Sequence, residues 1–317
     1  MKVAASSRDG DAIVEGSLAC AGCGAAYPIR NGIPRFVSTD AYVDTFSFEW
    51  TTFHDVQVDI LNRTDISEKA LKGKTGWGPA DLEGKLVLDA GVGAGRFAEV
   101  ASRWGAQVVG VDLSFAVDAA RETLRGRDNV HLVQADIFHL PFRRETFDAA
   151  YSMGVLHHTP DTRGAFRAVA SLVKPAGELA VFIYGYGPHH YFSDLWRKVT
   201  TRVHYRIVYY LAAFAIPLHY VYKIPVLGLA FQLVFPIAQH DNARWRWLDT
   251  FDWYSPTYQH KHTWPEVSDW FEENGFGRVR LYQESRATAP GNINMRGSRV
   301  PHRATDGNGC RHAGRAT

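Results

Sequence analysis

The sequence predicts an α/β fold, with a doubly wound, mostly parallel sheet of seven strands and an inserted helical cap. From Leu82 onward, short apolar runs rich in β-branched residues alternate with segments of helical periodicity, which is typical of a parallel sheet covered by helices. A glycine-rich turn follows the first run, where folds of this class bind ligands. Residues 189–262 interrupt the alternation, and this interruption predicts the cap.

The predicted strands are apolar runs bounded by turn residues. They cover residues 85–89, 106–112, 130–135, 147–152, 177–184, 278–282 and, with a weaker pattern, 292–296. Apolar residues three and four positions apart between Phe97 and Trp104 predict a helix that ends at Gly105. A capping-box pattern at Thr263 and Glu266 predicts the start of a later helix.

The composition indicates a globular protein rather than a disordered one. Of its 317 residues, 46% are hydrophobic and 13% aromatic, which is enough for a sizeable core. The net charge of +2 conceals a basic end, because residues 286–317 carry six arginines and one aspartate. The glycine and alanine content there predicts a disordered, solvated tail, and no nucleic-acid partner is expected. Three cysteines and a charged N-terminus predict a cytoplasmic protein.

The turn after the first strand contains Asp89, Gly91, Gly93 and Gly95. Glycines let the backbone turn tightly and approach a ligand, and the helix that follows offers free amide groups, so we expect a cofactor here. The pattern also fits a dinucleotide fingerprint, with Asp112 about twenty residues further on. A carboxylate at Asp89 would repel a pyrophosphate but attract the ammonium and sulfonium groups of S-adenosylmethionine.

Acidic residues also follow the next two strands. Asp112 is placed to accept hydrogen bonds from both ribose hydroxyls, and Asp136 from an adenine amino group, while Ile137 packs against the ring. Any one of these acids could instead cap a helix. The ordered set favours S-adenosylmethionine.

Residues 82–184 resemble class I S-adenosylmethionine-dependent methyltransferases of the bacterial type 11 group. The motifs that carry the resemblance are residues 86–97 (LVLDAGVGAGRF), 109–114 (VGVDLS), 134–136 (QAD) and 147–158 (FDAAYSMGVLHH). Residues 48–51 and 250–260 resemble other parts of bacterial members, so the similarity extends to about Arg299. The resemblance implies a methyltransferase with S-adenosylmethionine as cofactor, and a sheet whose last strand is antiparallel.

The resemblance also assigns site residues by position. The cofactor contacts carried over are Asp89, Gly91, Gly93, Gly95, Asp112, Leu113, Asp136, Ile137 and Met153. His157 and His158 follow the fourth strand, next to the expected methyl position, and histidine suits proton transfer near neutral pH. They are the candidate catalytic bases, with a packing role as the alternative. Further candidates by position are Tyr184, Tyr186, His189, His190, Asp252, Tyr254, Tyr258 and His260.

The segment before the core resembles part of a zinc-ribbon-like domain found ahead of some bacterial methyltransferases. A structural zinc site needs four ligands, usually two pairs, and only Cys20 and Cys23 are present here. We therefore expect no metal, unless other ligands complete this pair.

The inserted segment contains two very apolar runs, Ile207 to Pro217 and Ile224 to Ala238. Each is shorter than the roughly twenty residues that a membrane-spanning helix needs. One interpretation is a cap that buries these runs against the sheet or a second subunit. The other is a cap that contacts a membrane surface through residues 207–238, with Arg197, Lys198 and neighbouring arginines at the headgroups.

The leading hypothesis is methyl transfer to a small-molecule or lipid-like acceptor. The alternatives are an NAD(P)-dependent oxidoreductase and a non-catalytic binding scaffold. The predicted segments are a zinc-ribbon-like piece (1–40), a helical linker (41–81), the cofactor-binding core (82–188), the cap (189–262), the last helix and strands of the core (263–299) and the tail (300–317).

Overall fold

The computed structural model describes residues 1–37, 44–187, 190–282 and 292–301, without the side chains of residues 190 and 191. The strands are β1 (Lys2–Asp9), β2 (Ala12–Ala19), β3 (Ala26–Arg30), β4 (Ile33–Pro34), β5 (Leu86–Ala90), β6 (Gln107–Asp112), β7 (Val130–Gln134), β8 (Phe147–Met153), β9 (Val173–Ile183), β10 (Phe276–Tyr282) and β11 (Ile293–Arg299). The predicted tail lies outside the described residues from position 302 on.

The helices surround this set of strands in chain order. They are α1 (Asp44–Phe53), α2 (Asp59–Asn62), α3 (Ile66–Thr75), α4 (Pro79–Leu82), α5 (Arg96–Arg103), α6 (Ala116–Thr123), α7 (Thr162–Ala170), α8 (His190–Thr200), α9 (Tyr205–Ala212), α10 (Ala215–Tyr222), α11 (Leu227–Val234), α12 (Ala243–Tyr254) and α13 (Trp264–Glu273). A 3-10 turn covers Leu156–His158.

Within the described residues, β5 to β11 form one sheet in the order β10-β11-β9-β8-β5-β6-β7. Strands β5 to β9 pair in parallel, and β11 is antiparallel to both of its neighbours. The predicted mostly parallel, seven-stranded sheet with an antiparallel last strand is therefore confirmed. From β5 the chain adds β6 and β7 on one side of the sheet, and it then returns to place β8 on the other side of β5. The strand order reverses between β5 and β8, and sheets of this kind bind ligands at the carboxyl ends of the strands beside such a reversal.

Helices bury apolar side chains on both faces of this sheet. On one face, Val100 and Ala101 of α5 are fully buried, as the helical spacing predicts. On the other face, Phe166 of α7 and Phe271 of α13 lie in a second core cluster. The capping box predicted at Thr263 is present at the start of α13.

Strand β9 differs from its predicted bounds, because it begins at Val173 rather than at residue 177. Pro175 suggests a stop in the sequence, but the strand continues through an irregularity. Ala176 has a φ of 62°, and the pairing with β8 shifts register between Phe147 and Ala149.

The N-terminal strands β1 to β4 form an antiparallel sheet that docks on the edge of the main one. Arg35 pairs in parallel with Gln134 at the end of β7, and its guanidinium forms an ion pair with Asp118. An open strand edge is a site for unwanted pairing, and this contact covers part of it.

Cys20 and Cys23 are free thiols in the turn after β2. Across the described ranges, no group of three or more His, Cys, Asp or Glu side chains could hold a metal ion. The zinc-ribbon assignment stays a prediction.

Helices α8 to α12 follow β9 and pack together with α1. Phe53 and Val56 share an apolar cluster with Trp245 and Leu248 of α12. In the part of the chain that the structure describes, no helix combines the length and the apolar character needed to cross a membrane.

Candidate active site

A cavity of about 770 Å³ lies at the carboxyl ends of β5, β6 and β8. Helices α1, α3 and α12 close its other side. The cavity wall therefore combines loops at the ends of the sheet strands with helices such as α1 and α12, which lie more than one hundred residues apart in the sequence. The polar and charged lining residues include Glu49, Gln57, Lys74, Arg96, Asp112, His158, Tyr184, Gln239, His240, Asp249 and Asp252.

The glycine turn after β5 forms the floor of this cavity. Gly91 and Gly93 have φ values of 95° and 50°, in the left-handed region that favours glycine. A Cβ on Gly91 would lie 2.3 Å from Cγ2 of Val155, so the loops after β5 and β8 are in close contact. A Cβ on Gly93 would lie 3.2 Å from the Trp50 ring. The lack of a side chain at both positions therefore lets Val155 and Trp50 pack closely on the turn, and both glycines line the cavity.

Asp112, at the end of β6, lies in the cavity wall. Its Oδ1 accepts hydrogen bonds from the amide and the hydroxyl of Ser114, and its Oδ2 accepts one from the amide of Gly93 at 3.0 Å. Burial raises the pKa of this carboxyl, while the hydrogen bonds from Ser114 and Gly93 act to lower it. Each carboxylate oxygen can accept two hydrogen bonds, so Oδ2 retains capacity for a ligand hydroxyl.

Three of the predicted apolar contacts, Leu113, Ile137 and Met153, line the same cavity. They come from the loops after β6 and β7 and from the end of β8. This arrangement gives the Asp112 side of the cavity an apolar slot suited to a flat ring.

Three predicted cofactor residues lie outside the cavity wall. The Asp89 side chain is buried in β5, where its Oδ2 accepts a hydrogen bond from the Tyr151 hydroxyl at 3.0 Å. Gly95 lies at the start of α5. The Asp136 carboxylate accepts a hydrogen bond from the Phe138 amide, and its Oδ2 lies 3.0 Å from Nδ1 of His139. The side chain therefore caps its own loop.

The protonation of Asp89 differs from the sequence argument. Burial raises the pKa of Asp89 to about 8, and the negative charge of Asp112 adds to the effect. The carboxyl is therefore mostly protonated at neutral pH unless a nearby cation stabilises its charge. A free carboxylate was expected at Asp89 because its burial is not visible in the local sequence.

The two candidate catalytic histidines have different surroundings. His157 is fully buried, stacks on Tyr184 with ring centroids 3.9 Å apart, and does not line the cavity. Its Nδ1 accepts a hydrogen bond from the Tyr184 amide, and burial lowers its pKa well below the usual range. This is the packing arrangement that the sequence left as an alternative.

His158 does line the cavity. Its Nδ1 lies 2.8 Å from the carbonyl oxygen of Tyr258, which can only accept, so Nδ1 must carry the proton. Burial lowers the pKa of His158 to about 4. The ring is therefore neutral at pH 7, with the lone pair on Nε2.

The other positional candidates divide between the wall and the packing. Tyr184 and Asp252 line the cavity, and the Tyr184 hydroxyl lies 3.3 Å from Oδ2 of Asp252. The Tyr254 hydroxyl donates to the carbonyl of Pro236, and Tyr186 is 66% exposed. His260 stacks on Tyr258. His189 and the side chain of His190 lie outside the described residues.

Sequence reasoning missed two acids that the tertiary structure brings beside Asp252. Glu49 comes from α1 and Asp249 from α12, and both line the cavity. Glu49 lies in the stretch 48–51 that resembles other methyltransferases, but nothing local indicates that it faces the sheet. Asp249 and Asp252 are three residues apart, and this helical spacing was the one signal that could have paired them.

Comparisons with known proteins find methyltransferases among the relatives of this chain. Residues 88–181 match the family model described as a methyltransferase domain. The chain is 39% identical to the ubiquinone biosynthesis O-methyltransferase of Salmonella arizonae over 101 residues, which cover 31% of this chain and 42% of that one. It is 37% identical to the enzyme of the same description from Alkalilimnicola ehrlichii over 113 residues, with coverages of 35% and 46%. The chain thus spans less than half the length of these relatives.

Solved structures include a chain that is partly similar to this one. Magnesium protoporphyrin IX methyltransferase from Synechocystis PCC 6803, with bound SAH, has a TM-score of 0.49 and 18% identity, and covers 82% of this chain and 96% of its own. The sequence matches therefore assign residues 88–181, which lie within the sheet described above, to a methyltransferase domain.

Proposed function

We propose that the chain is an S-adenosylmethionine-dependent methyltransferase that acts on a small-molecule acceptor. The observation that carries this proposal is the position of Asp112 beside the glycine turn in one large cavity. The left-handed backbone at Gly91 and Gly93 brings the main chain close to the cavity, and Oδ2 of Asp112 can accept a ribose hydroxyl. The chain therefore offers groups that fit the nucleoside part of this cofactor.

The cavity also has room for an acceptor beside the cofactor. Ligand sites in proteins usually enclose about 300–1,000 Å³, and this one is within that range. When bound, the cofactor supplies a methyl group on a sulfonium, which a nucleophile displaces in line. The protein contributes mainly by holding the acceptor in position and excluding water. The relatives are named for O-methylation in ubiquinone biosynthesis, which supports a small-molecule acceptor here.

His158 is the better of the two candidate bases. Its neutral ring lines the cavity and is oriented by the Tyr258 carbonyl, whereas His157 is packed away from it. A pKa of about 4 makes His158 a weak base. We therefore assign it a role in positioning the acceptor or in relaying a proton, rather than as the final proton acceptor.

Calorimetric titration with S-adenosylhomocysteine tests this proposal directly. We expect a dissociation constant in the micromolar range and no measurable binding of NAD or NADP, because the family model and the relatives that the chain matches are methyltransferases. Binding of a nicotinamide cofactor instead would support the oxidoreductase alternative. A protein that binds none of the three would support the scaffold alternative.

We further propose that the cap contacts an anionic membrane surface. Helices α9 to α11 expose large apolar side chains, including Tyr210, Leu211, Phe214, Tyr220, Val226 and Leu229, so these runs are not buried against the sheet. No acidic residue occurs between positions 195 and 240, whereas Lys198, Arg202, Arg206 and Lys223 are exposed there. Apolar side chains beside basic ones are typical of a peripheral lipid contact. Arg197 is buried and donates to main-chain carbonyls of Trp253 and Pro256, so it does not contribute.

Liposome co-sedimentation tests the membrane contact. We expect binding to vesicles that contain phosphatidylserine, weaker binding to phosphatidylcholine alone, and a several-fold loss on adding salt. The double variant Phe214→Glu with Leu229→Glu should remove binding. Ile60→Glu is the matched control, because Ile60 is 58% exposed on α2, outside the apolar helices α9 to α11. Wild-type protein that stays in the supernatant with every vesicle, and that light scattering shows to be dimeric, would favour a subunit interface.

A further inference from the structure

The cap side of the cavity carries three carboxyl groups with little compensating charge. Glu49 of α1 and the pair Asp249 and Asp252 of α12 all line it, and we call these three residues the acidic wall. Burial is the largest cause of the raised pKa of Glu49, and the negative charges of the two α12 carboxyls raise this pKa further. The three groups are therefore close enough to repel one another.

The acids of this wall differ in how well their hydrogen bonds are satisfied. Oδ1 of Asp249 accepts a hydrogen bond from the side-chain amide of Gln57 at 3.0 Å, and its Oδ2 lies 2.8 Å from Nε2 of His240. Asp252 accepts from the Tyr184 hydroxyl. By contrast, Oε2 of Glu49 is buried and has no hydrogen-bond partner among the described residues. Leaving a buried acceptor unpaired is costly, so a group that the protein itself does not provide should satisfy it.

The basic groups nearby already have other contacts. The ammonium group of Lys74 lies 3.8 Å from the centroid of the Phe182 ring, and the Arg96 guanidinium donates to Ser67 and Gln57. Arg197 acts on Asp252 only through its charge and donates its hydrogen bonds to main-chain carbonyls. A divalent metal ion is not a suitable occupant, because the described part of the chain offers no three-ligand group for one.

We propose that the acidic wall binds the protonated amino group of the methyl acceptor, so that the enzyme is an N-methyltransferase. This inference rests on the proposed methyltransferase function and identifies the acceptor class at the same cavity. A cation relieves the repulsion among the three carboxyls, which a neutral hydroxyl group cannot do. The rings of Phe46, Trp50 and Trp253 line the same region and add cation–π attraction. The matched family segment, residues 88–181, contains none of the three acids, so it does not define the acceptor.

The acidic wall also supplies the base that this reaction requires. A protonated amine has no lone pair, so it must first transfer one proton to a carboxylate of the wall. The nitrogen lone pair then forms the new bond to the methyl carbon as the carbon–sulfur bond breaks, and the released electron pair stays on sulfur. The product is a methylated ammonium ion and a neutral thioether, so charge and atoms balance.

Matched pairs of amines and alcohols test the inference. We expect calorimetry at pH 7.5, with and without S-adenosylhomocysteine, to show at least 10-fold tighter binding of 2-phenylethylamine than of 2-phenylethanol, and the same order for cyclohexylamine and cyclohexanol. Glu49→Gln and Asp252→Asn should each remove most of this preference while alcohol binding stays unchanged. Asp241→Asn, at an exposed acid before α12, is the matched control.

The outcomes separate this inference from the proposed function. Equal binding of amine and alcohol, or an amine preference that survives both substitutions, would overturn the inference even if S-adenosylhomocysteine binds. Absence of amine binding up to millimolar concentrations would do the same. If amines bind through Glu49 but S-adenosylhomocysteine does not bind, the acidic wall is a cation site and the methyltransferase proposal fails.

A stability measurement adds a readout that does not depend on ligands. Because burial and the neighbouring acids raise the pKa of Glu49, the folded protein holds this proton at pH values where the unfolded chain has released it. The group therefore lowers the free energy of unfolding as pH rises above about 4.5. Glu49→Gln should therefore raise the melting temperature of the ligand-free protein more at pH 8 than at pH 5. This result is expected for a residue that serves ligand binding at a cost to stability.

Discussion

Replacing Asp112 by alanine should weaken the binding of S-adenosylhomocysteine by about 10- to 100-fold. Three of the four acceptor positions of this carboxylate are taken by Ser114 and Gly93, so Oδ2 can accept one ribose hydroxyl. A hydrogen bond to a charged group contributes about 1.5–3 kcal/mol, and each 1.4 kcal/mol is about tenfold in affinity. Calorimetric titration of wild type and variant measures the change.

Two further variants separate a binding effect from a folding effect. Asp112→Asn retains an oxygen that can accept from the Gly93 amide, so it should fold normally and show a smaller loss than alanine. Asp128→Ala removes an exposed acid before β7 and should bind like wild type. Retention of wild-type affinity by Asp112→Ala would show that this carboxyl only caps its own turn, and the cofactor assignment would have to be revised.

The substitution Gly91→Ala should destabilise the protein by about 2–5 kcal/mol and abolish cofactor binding. The left-handed backbone costs a non-glycine residue roughly 1–2 kcal/mol, and overpacking adds about 1–3 kcal/mol. The added Cβ would lie 2.3 Å, 2.6 Å and 2.8 Å from the Cγ2, Cγ1 and Cβ atoms of Val155. A β-branched side chain is stiff and cannot move aside cheaply. Urea unfolding gives the stability change, and titration gives the binding.

Gly84→Ala is the matched control for this effect. Gly84 has a φ of 69°, in the same left-handed region, but a Cβ there meets nothing within 4 Å. It should therefore lose only the backbone part, about 1–2 kcal/mol, and keep full binding. Adding Val155→Ala to Gly91→Ala should recover part of the lost stability. Equal losses at Gly84 and Gly91 would mean that the loops after β5 and β8 do not approach each other closely.

The sheet side of the cavity, to which we assign the cofactor, could largely be placed from the sequence. Gly91, Gly93 and Asp112 belong to one turn and one strand end, and the register of a parallel sheet brings them to the same edge. Leu113 and Ile137 follow for the same reason, because each comes directly after a strand of that sheet. Placement of these residues needs only the alternation of strands and helices and the fixed direction of the strands.

The cap side of the cavity, to which we assign the acceptor, could not be placed in the same way. The hydrogen bond between Tyr184 and Asp252 joins the end of β9 to α12, and Glu49 reaches the same region from α1. Helix α12 has apolar and charged residues on several faces, so its sequence does not show which acids point inward. The packing of Phe53 against Trp247 and of Tyr209 against Phe251 fixes its rotation, and these contacts connect distant segments.

The sequence by itself thus determined the sheet, the helices on its faces and the edge at which a cofactor could bind. These features follow from local periodicity and from turns that require glycine, which are encoded within short segments. Only the tertiary structure decided that Asp89 and His157 are buried away from the cavity, that the apolar runs of the cap keep large side chains exposed, and that three acids from α1 and α12 line the same cavity as Asp112. Burial, protonation and charge clustering depend on which distant side chains exclude water together, and no short segment contains that information.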